Sequence, residues 1–314
     1  MTVAQAYADF ATFEAKGVSP TYERLSAAVA ADDELLQLIE TLPPGKRQPN
    51  LLFGVVRLLE GPVEDPAAFR AFVLDRWDEI AAEMTSRATQ TNEPGRCAVL
   101  LPVLARLPQP LALLEVGASA GLCLYPDRYA YRYGTHVLGD GVPVMDCALR
   151  GAEPPARRPE VVWRAGVDLN PLDVTDPQDV AWLEALIWPE HEHRRSRLRQ
   201  AAEVAKADPP LLVRGDLVTD LPALAAQAPP EATLVVFHTS VLYQVPEVGR
   251  REFIGVVREL PGHWIANEAA HVMGYDGLPD PPEAVHYNVL ALDGRPLAWT
   301  RGHGQEMVWF ADAR

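Results

Sequence analysis

Residues 111–121, LALLEVGASAG, decide the fold. A short apolar run that ends in glycines reads as a buried strand entering a tight turn. The same scheme recurs downstream in EVVWRAGVDLNP (160–171), LLVRGDLVTDLP (211–222), ATLVVFHTSVLY (232–243) and GHWIANEA (262–269). Helical patterns fill 176–207, 220–227 and 246–260. Strand–helix alternation of this kind predicts a parallel sheet covered on both faces. Near the C-terminus, Asp293-Gly294 separates two alternating runs and predicts an antiparallel hairpin, with one further strand after it. The expected class is therefore α/β, with a Rossmann-like, mostly parallel sheet ending in a hairpin.

Upstream of residue 111 the texture is helical. Apolar positions in 3–15, 22–30 and 32–42 recur at three- and four-residue spacing. Asn50 is placed to cap the run 51–61, with Gly61 just past its end. Asp65-Pro66 opens a long amphipathic stretch over 67–84, and the polar segment TQTNEPGR (89–96) precedes one last apolar helix. The expected division is a helical region at 1–110 and an α/β domain at 111–314, in keeping with roughly 150 residues per domain.

Composition narrows the function. With 48% hydrophobic and 23% charged residues, the chain is composed like an ordinary globular protein. A net charge of −15 disfavours phosphate backbones and anionic membrane surfaces, so neither nucleic acid nor a membrane is an expected partner. Cys97, Cys123 and Cys147 are dispersed and odd in number, no basic-apolar leader opens the chain, and no apolar run approaches the ~18 residues of a span. A cytoplasmic location is expected. His191 and His193 lie two apart in a charged helical stretch, which does not make a metal site.

Three loops carry the candidate chemistry. In Glu115-Val-Gly117-Ala118-Ser119-Ala-Gly121, the glycines permit a sharp turn and close approach of a ligand at the carboxyl end of a strand. Without a G-x-G-x-x-G pattern, a dinucleotide is disfavoured. Asp168 ends the second strand, where an acid can accept both hydroxyls of a ribose; alternatively, Asp168 or Asn170 caps the helix near Asp176 or forms an Asx turn before Pro171. Asp216 and Leu217 follow the third strand, where a carboxylate can meet an adenine amino group while the leucine packs the base; the alternative is a turn carboxylate.

Together these loops resemble class I S-adenosylmethionine-dependent methyltransferases over roughly 111–314. The resemblance implies S-adenosylmethionine as cofactor, with Glu115, Gly117, Ala118, Ser119 and Gly121 at its methionine end, Asp168 at the ribose, and Asp216 and Leu217 at the adenine. The chain departs from that pattern in the 46 residues between Gly121 and Asp168, where an insertion at 122–160 stands in place of a full first helix. Across nearly the whole chain, the runs QPNLL, TNEPGRCA, LLEVGASAGLCL, DRYAYRYG, RGDLVTDLPAL and VVFHTSVLYQVP resemble domain-of-unknown-function family 2332, a bacterial family.

Other residues fall where a substrate would sit. His238 follows the fourth strand and is the expected base; Glu268 is a second catalytic candidate, and Tyr243 and Asn267 are substrate contacts. Asn92, Glu93 and Arg96 are expected to close over the pocket, with Arg128 and Tyr129 of DRYAYRYG on the other wall. Such a pocket suits a small molecule. The same glycines also satisfy G-x-S-x-G, a hydrolase elbow with Ser119 as nucleophile and Asp216 plus His238 or His271 as partners. A methyltransferase fold turned into a binding module is the non-enzyme alternative.

Overall fold

The computed structural model describes residues 1–283 and 286–311. The expected C-terminal region, drawn to 314, includes residues 284–285 and 312–314, which lie outside the described ones. Twelve helices are present among the described residues: α1 (Val3–Asp9), α2 (Pro20–Ala30), α3 (Asp33–Glu40), α4 (Pro49–Leu58), α5 (Pro66–Asp75), α6 (Trp77–Ser86), α7 (Cys97–Leu104), α8 (Pro177–Leu186), α9 (Glu192–Ala207), α10 (Leu221–Ala225), α11 (Glu247–Glu259) and α12 (Ala270–Met273). Strands are β1 (Leu111–Val116), β2 (Ala130–Tyr133), β3 (His136–Leu138), β4 (Val144–Asp146), β5 (Ala148–Arg150), β6 (Val161–Asp168), β7 (Leu211–Arg214), β8 (Thr233–Thr239), β9 (His263–Ala269), β10 (Asn288–Leu292), β11 (Arg295–Thr300) and β12 (Glu306–Trp309). No helix among the described residues is long and apolar enough to cross a membrane.

Two compact units form, Met1–Thr91 with Thr175–Ser196, and Asn92–Val174 with Arg197–Arg314. The first is helical. Phe53 on α4 is fully buried and meets Tyr7, Phe10, Tyr22 and Phe69 edge-on or tilted, so aromatic area supplies its core. Local signals set the helix ends: Ser19, Asp32, Asp65 and Asp176 each accept a backbone N–H of their own first turn. Asn50 is not a cap. The helix begins at Pro49, with Gln48 at the cap position, and the Asn50 side-chain oxygen accepts from the Trp188 indole. At the end of α4 it is Glu60, with φ +57°, that takes the left-handed turn, and Gly61 donates back to the Val56 carbonyl. The stretch expected as one helix over 67–84 breaks at Arg76. The helix α8, placed by sequence in the α/β domain, falls in this unit, and α7 falls in the other.

The second unit is α/β, with a nine-stranded sheet in the order β5-β12-β11-β10-β9-β8-β1-β6-β7. Strands β7, β6, β1, β8 and β9 run parallel, in the doubly wound order 3-2-1-4-5. The strand order reverses between β1 and β8, and the carboxyl ends at such a switch point are where ligands bind in open α/β sheets. β10, β11 and β12 then continue antiparallel. Asp293 and Gly294 turn the β10–β11 hairpin with φ +53° and +82°, the signs a two-residue hairpin turn demands. Two features had no sequence reading: β2, β3 and β4 make a small separate sheet inside the 122–160 insertion, and β5 from the same insertion extends the main sheet by pairing with β12.

Candidate functional site

The glycine loop at the end of β1 is wound tightly. Gly117, Ser119 and Gly121 all have positive φ (+69°, +52° and +70°). An added Cβ at Gly117 would lie 2.6 Å from Val241 Cγ2, so this position requires glycine for space as well as for conformation. Gly166 on β6 makes the matching allowance, since a Cβ there would collide with Ala118. Instead of the full helix the motif implies, a single 3-10 turn at Leu122–Leu124 follows.

The three loop tips lie side by side. The Ser119 N–H donates to Asp168 Oδ2 at 2.8 Å, and the Asn170 N–H donates to Asp168 Oδ1 at 2.7 Å. The Gly215 N–H donates to the Asp168 carbonyl, and Arg214 Nη2 to Asn170 Oδ1. Asp168 thus forms the expected Asx turn and also holds the glycine loop; the helix cap is Asp176 itself. Asp216 Oδ1 accepts from the Val218 and Thr219 N–H groups, and Leu217 packs partly buried against the sheet core.

Strand register sorts the remaining polar residues. Paired residues share a face, and neighbours along a strand alternate. Glu115 pairs with Phe237, and Thr239 with Asn267, so Glu115, Thr239 and Asn267 share one face. His238, Trp264 and Glu268 lie on the other.

On the first face, the segment 92–96 comes down onto the loop. Asn92 Nδ2 donates to the Ala118 carbonyl at 3.2 Å, and its Oδ1 accepts the Leu122 N–H. Arg96 Nη1 donates to the Thr239 carbonyl and hydroxyl, and Nε to the Gly302 carbonyl. Glu93 Oε1 pairs with Arg197 at 3.0 Å and accepts the Gly95 N–H. Asn267 Oδ1 accepts from the Thr300 hydroxyl at 2.6 Å. Three polar atoms here are buried with no hydrogen-bond partner: Glu115 Oε2, Ser119 Oγ and Asn267 Nδ2. Burial pushes the Glu115 carboxyl well above the usual carboxylate range, with the neighbouring Cys123 adding to the rise and Arg96 opposing it. Native structures leave few such atoms, and those they leave call for a ligand, a water or a functional reason.

On the opposite face, His238 and Glu268 are fully buried. His238 Nδ1 lies 2.7 Å from Glu268 Oε1, and the Trp264 indole N–H donates to His238 Nε2 at 3.0 Å. Because Nε2 accepts, Nδ1 carries the proton and donates to the carboxylate. Glu268 Oε1 also accepts the Val241 and Leu242 N–H groups. Both nitrogens of His238 are therefore committed, and the expected base is instead a residue that fixes the 240–242 loop beneath Gly117. Nor does a histidine meet Ser119 of the hydrolase elbow: its Oγ has no hydrogen-bond partner, and His238 lies on the opposite face. His271 is exposed.

The two expected substrate contacts in the insertion part company. Tyr129 is fully buried and its hydroxyl donates to the Leu122 carbonyl, while the exposed Arg128 sits beside Asp127 and Asp208. Asp127 is held by two hydrogen bonds from Arg164. Tyr243 is exposed. Among the residues sequence reading passed over, Thr239, Thr300 and Trp264 matter most. Among the described residues no group of three His, Cys, Asp or Glu is arranged to hold a metal ion.

No curated protein and no solved structure matches the chain. One family, described as an uncharacterized protein conserved in bacteria (DUF2332), matches over residues 4–309, and the chain belongs to it.

Proposed function

We propose that the chain is an S-adenosylmethionine-dependent methyltransferase acting on a small molecule. One observation carries the reading: three loop tips, at 117–121, 168–170 and 214–216, adjoin at the carboxyl ends of β1, β6 and β7, next to the switch point of a doubly wound sheet. The donor set fits the cofactor. A carboxylate offers about four lone-pair sites, so Asp168 can hold the glycine loop and still accept from ribose hydroxyls. Asp216 and Leu217 stand on the next strand for an adenine, and the tight loop around Ser119 for the methionine end. When bound, the cofactor supplies a methyl group on a sulfonium that carries its own leaving group.

The rest falls to the chain. Glu115, Asn267 and Arg96 hold the acceptor on the first face, where buried unsatisfied atoms can bond to it. Alignment is the main requirement of methyl transfer. Its proton is lost to water, because His238 lies on the other face with both nitrogens bonded.

Calorimetry with S-adenosylhomocysteine tests the proposal. Binding is expected, and Asp168→Ala and Asp216→Ala should each weaken it by at least ~1 kcal/mol through lost charged hydrogen bonds. Absence of any saturable heat at millimolar ligand overturns it.

A further inference from the structure

A cavity of about 290 Å³ opens between α11, the start of β9, the β10–β11 turn and the segment after α12. Its walls include Trp264, Met273 and Pro296, and its polar groups are Arg258, Tyr275 and Asp276. Opposite charges thus line one small, largely polar cavity with an apolar wall. Among the described residues no ion pair joins Arg258 to any carboxylate, and Arg258 reaches the hairpin turn, where a Cβ on Gly294 would sit 3.6 Å from Nη2. The Tyr275 hydroxyl is buried with no hydrogen-bond partner. Burial raises its pKa, the nearby Glu268 adds to the rise and Arg258 opposes it, so the hydroxyl stays a neutral donor.

We infer that this cavity binds a small apolar zwitterion of amino-acid size. Its carboxylate meets Arg258 and accepts from the Tyr275 hydroxyl, its ammonium meets Asp276, and its side chain lies against Trp264, Met273 and Pro296. The volume sits at the lower end for ligand pockets, which suits one amino acid and excludes a nucleotide. Trp264 is also the donor to His238, whose Glu268 partner holds the 240–242 loop against Gly117. An occupant pressing on Trp264 therefore bears on the glycine loop through four named residues. The inference does not rest on methyl transfer.

The test is titration of the full chain with L-phenylalanine, 3-phenylpropionate and 2-phenylethylamine, followed by saturation-transfer NMR and calorimetry. Phenylalanine should bind at least about tenfold more tightly than either singly charged analogue, because each lost charge removes a charge-assisted hydrogen bond. Arg258→Met should erase the advantage over 2-phenylethylamine, and Asp276→Asn the advantage over 3-phenylpropionate. Both side chains are exposed, so thermal melts of the variants should match the parent. Equal binding of all three probes, no saturable binding at about 20 mM, or an advantage that survives both substitutions overturns the inference.

Discussion

The two faces of the central sheet hold polar clusters of opposite character, although the same strands supply both. Beneath α11, His238, Glu268 and Trp264 form a chain in which both ring nitrogens are used and Glu268 Oε1 takes three hydrogen bonds, while Glu268 Oε2 is buried without a partner. Across the sheet, Glu115, Ser119 and Asn267 each keep a buried polar atom unmatched. A satisfied buried network rigidifies, whereas an unsatisfied one costs stability and persists where something binds. In the function we propose, the face whose histidine ring is fully bonded is the scaffold, and the face where three residues each keep an unmatched atom is the site. Residue type alone points the other way, since histidine is the commonest general base.

The largest expected effect breaks the scaffold. Glu268→Ala leaves the buried His238 and the Val241 and Leu242 N–H groups without an acceptor, and should cost about 3–5 kcal/mol of unfolding free energy in urea. Asn267→Ala, its chain neighbour on the other face, loses only the bond from Thr300 and should cost about 1 kcal/mol. Equal losses would mean that the two faces do not differ as described.

Next comes the point where the faces communicate. Gly117→Ala adds a Cβ 2.6 Å from Val241 at a positive φ, and should lose about 3 kcal/mol. Val241→Ala should recover part of that loss in the double variant, since it clears the collision but not the backbone strain. No recovery would place the strain in the backbone alone.

A smaller effect follows from Glu115. Its folded-state pKa is raised, so the folded chain keeps a proton that the unfolded chain releases above about 4.3. Its contribution is fully present below that pH and is lost as pH rises through the folded-state value. Glu115→Gln keeps the shape and removes the titration. The variant should melt with the parent near pH 4 and above it near pH 8. A gain of the same size at both pH values would remove burial as the cause.

Much of this was legible in the sequence. Each strand of the parallel half announced itself as a short apolar run with a polar or glycine tip, because a strand buried on both faces carries few polar residues before its end. Asp293-Gly294 announced the hairpin. The insertion did not, because β3, β4 and β5 are three residues long and carry too few positions for a period to show. The alternating Ala-Tyr-Arg-Tyr of β2 was the available signal. Site composition was only half legible. His238 with Thr239, and Asn267 with Glu268, are chain neighbours on strands, so each pair must split between the faces. Which half would be closed depended on Trp264, whose hydrogen bond comes from a strand neighbour that no local pattern marks.

The most direct measurement is a crystal structure of the full chain grown with S-adenosylhomocysteine. Our account predicts density at the carboxyl ends of β1, β6 and β7, with Asp168 at the ribose and the sulfur on the side of Glu115 and Asn267. Density on the side of His238 and Glu268, or a glycine loop that stays empty at saturating ligand, would contradict it.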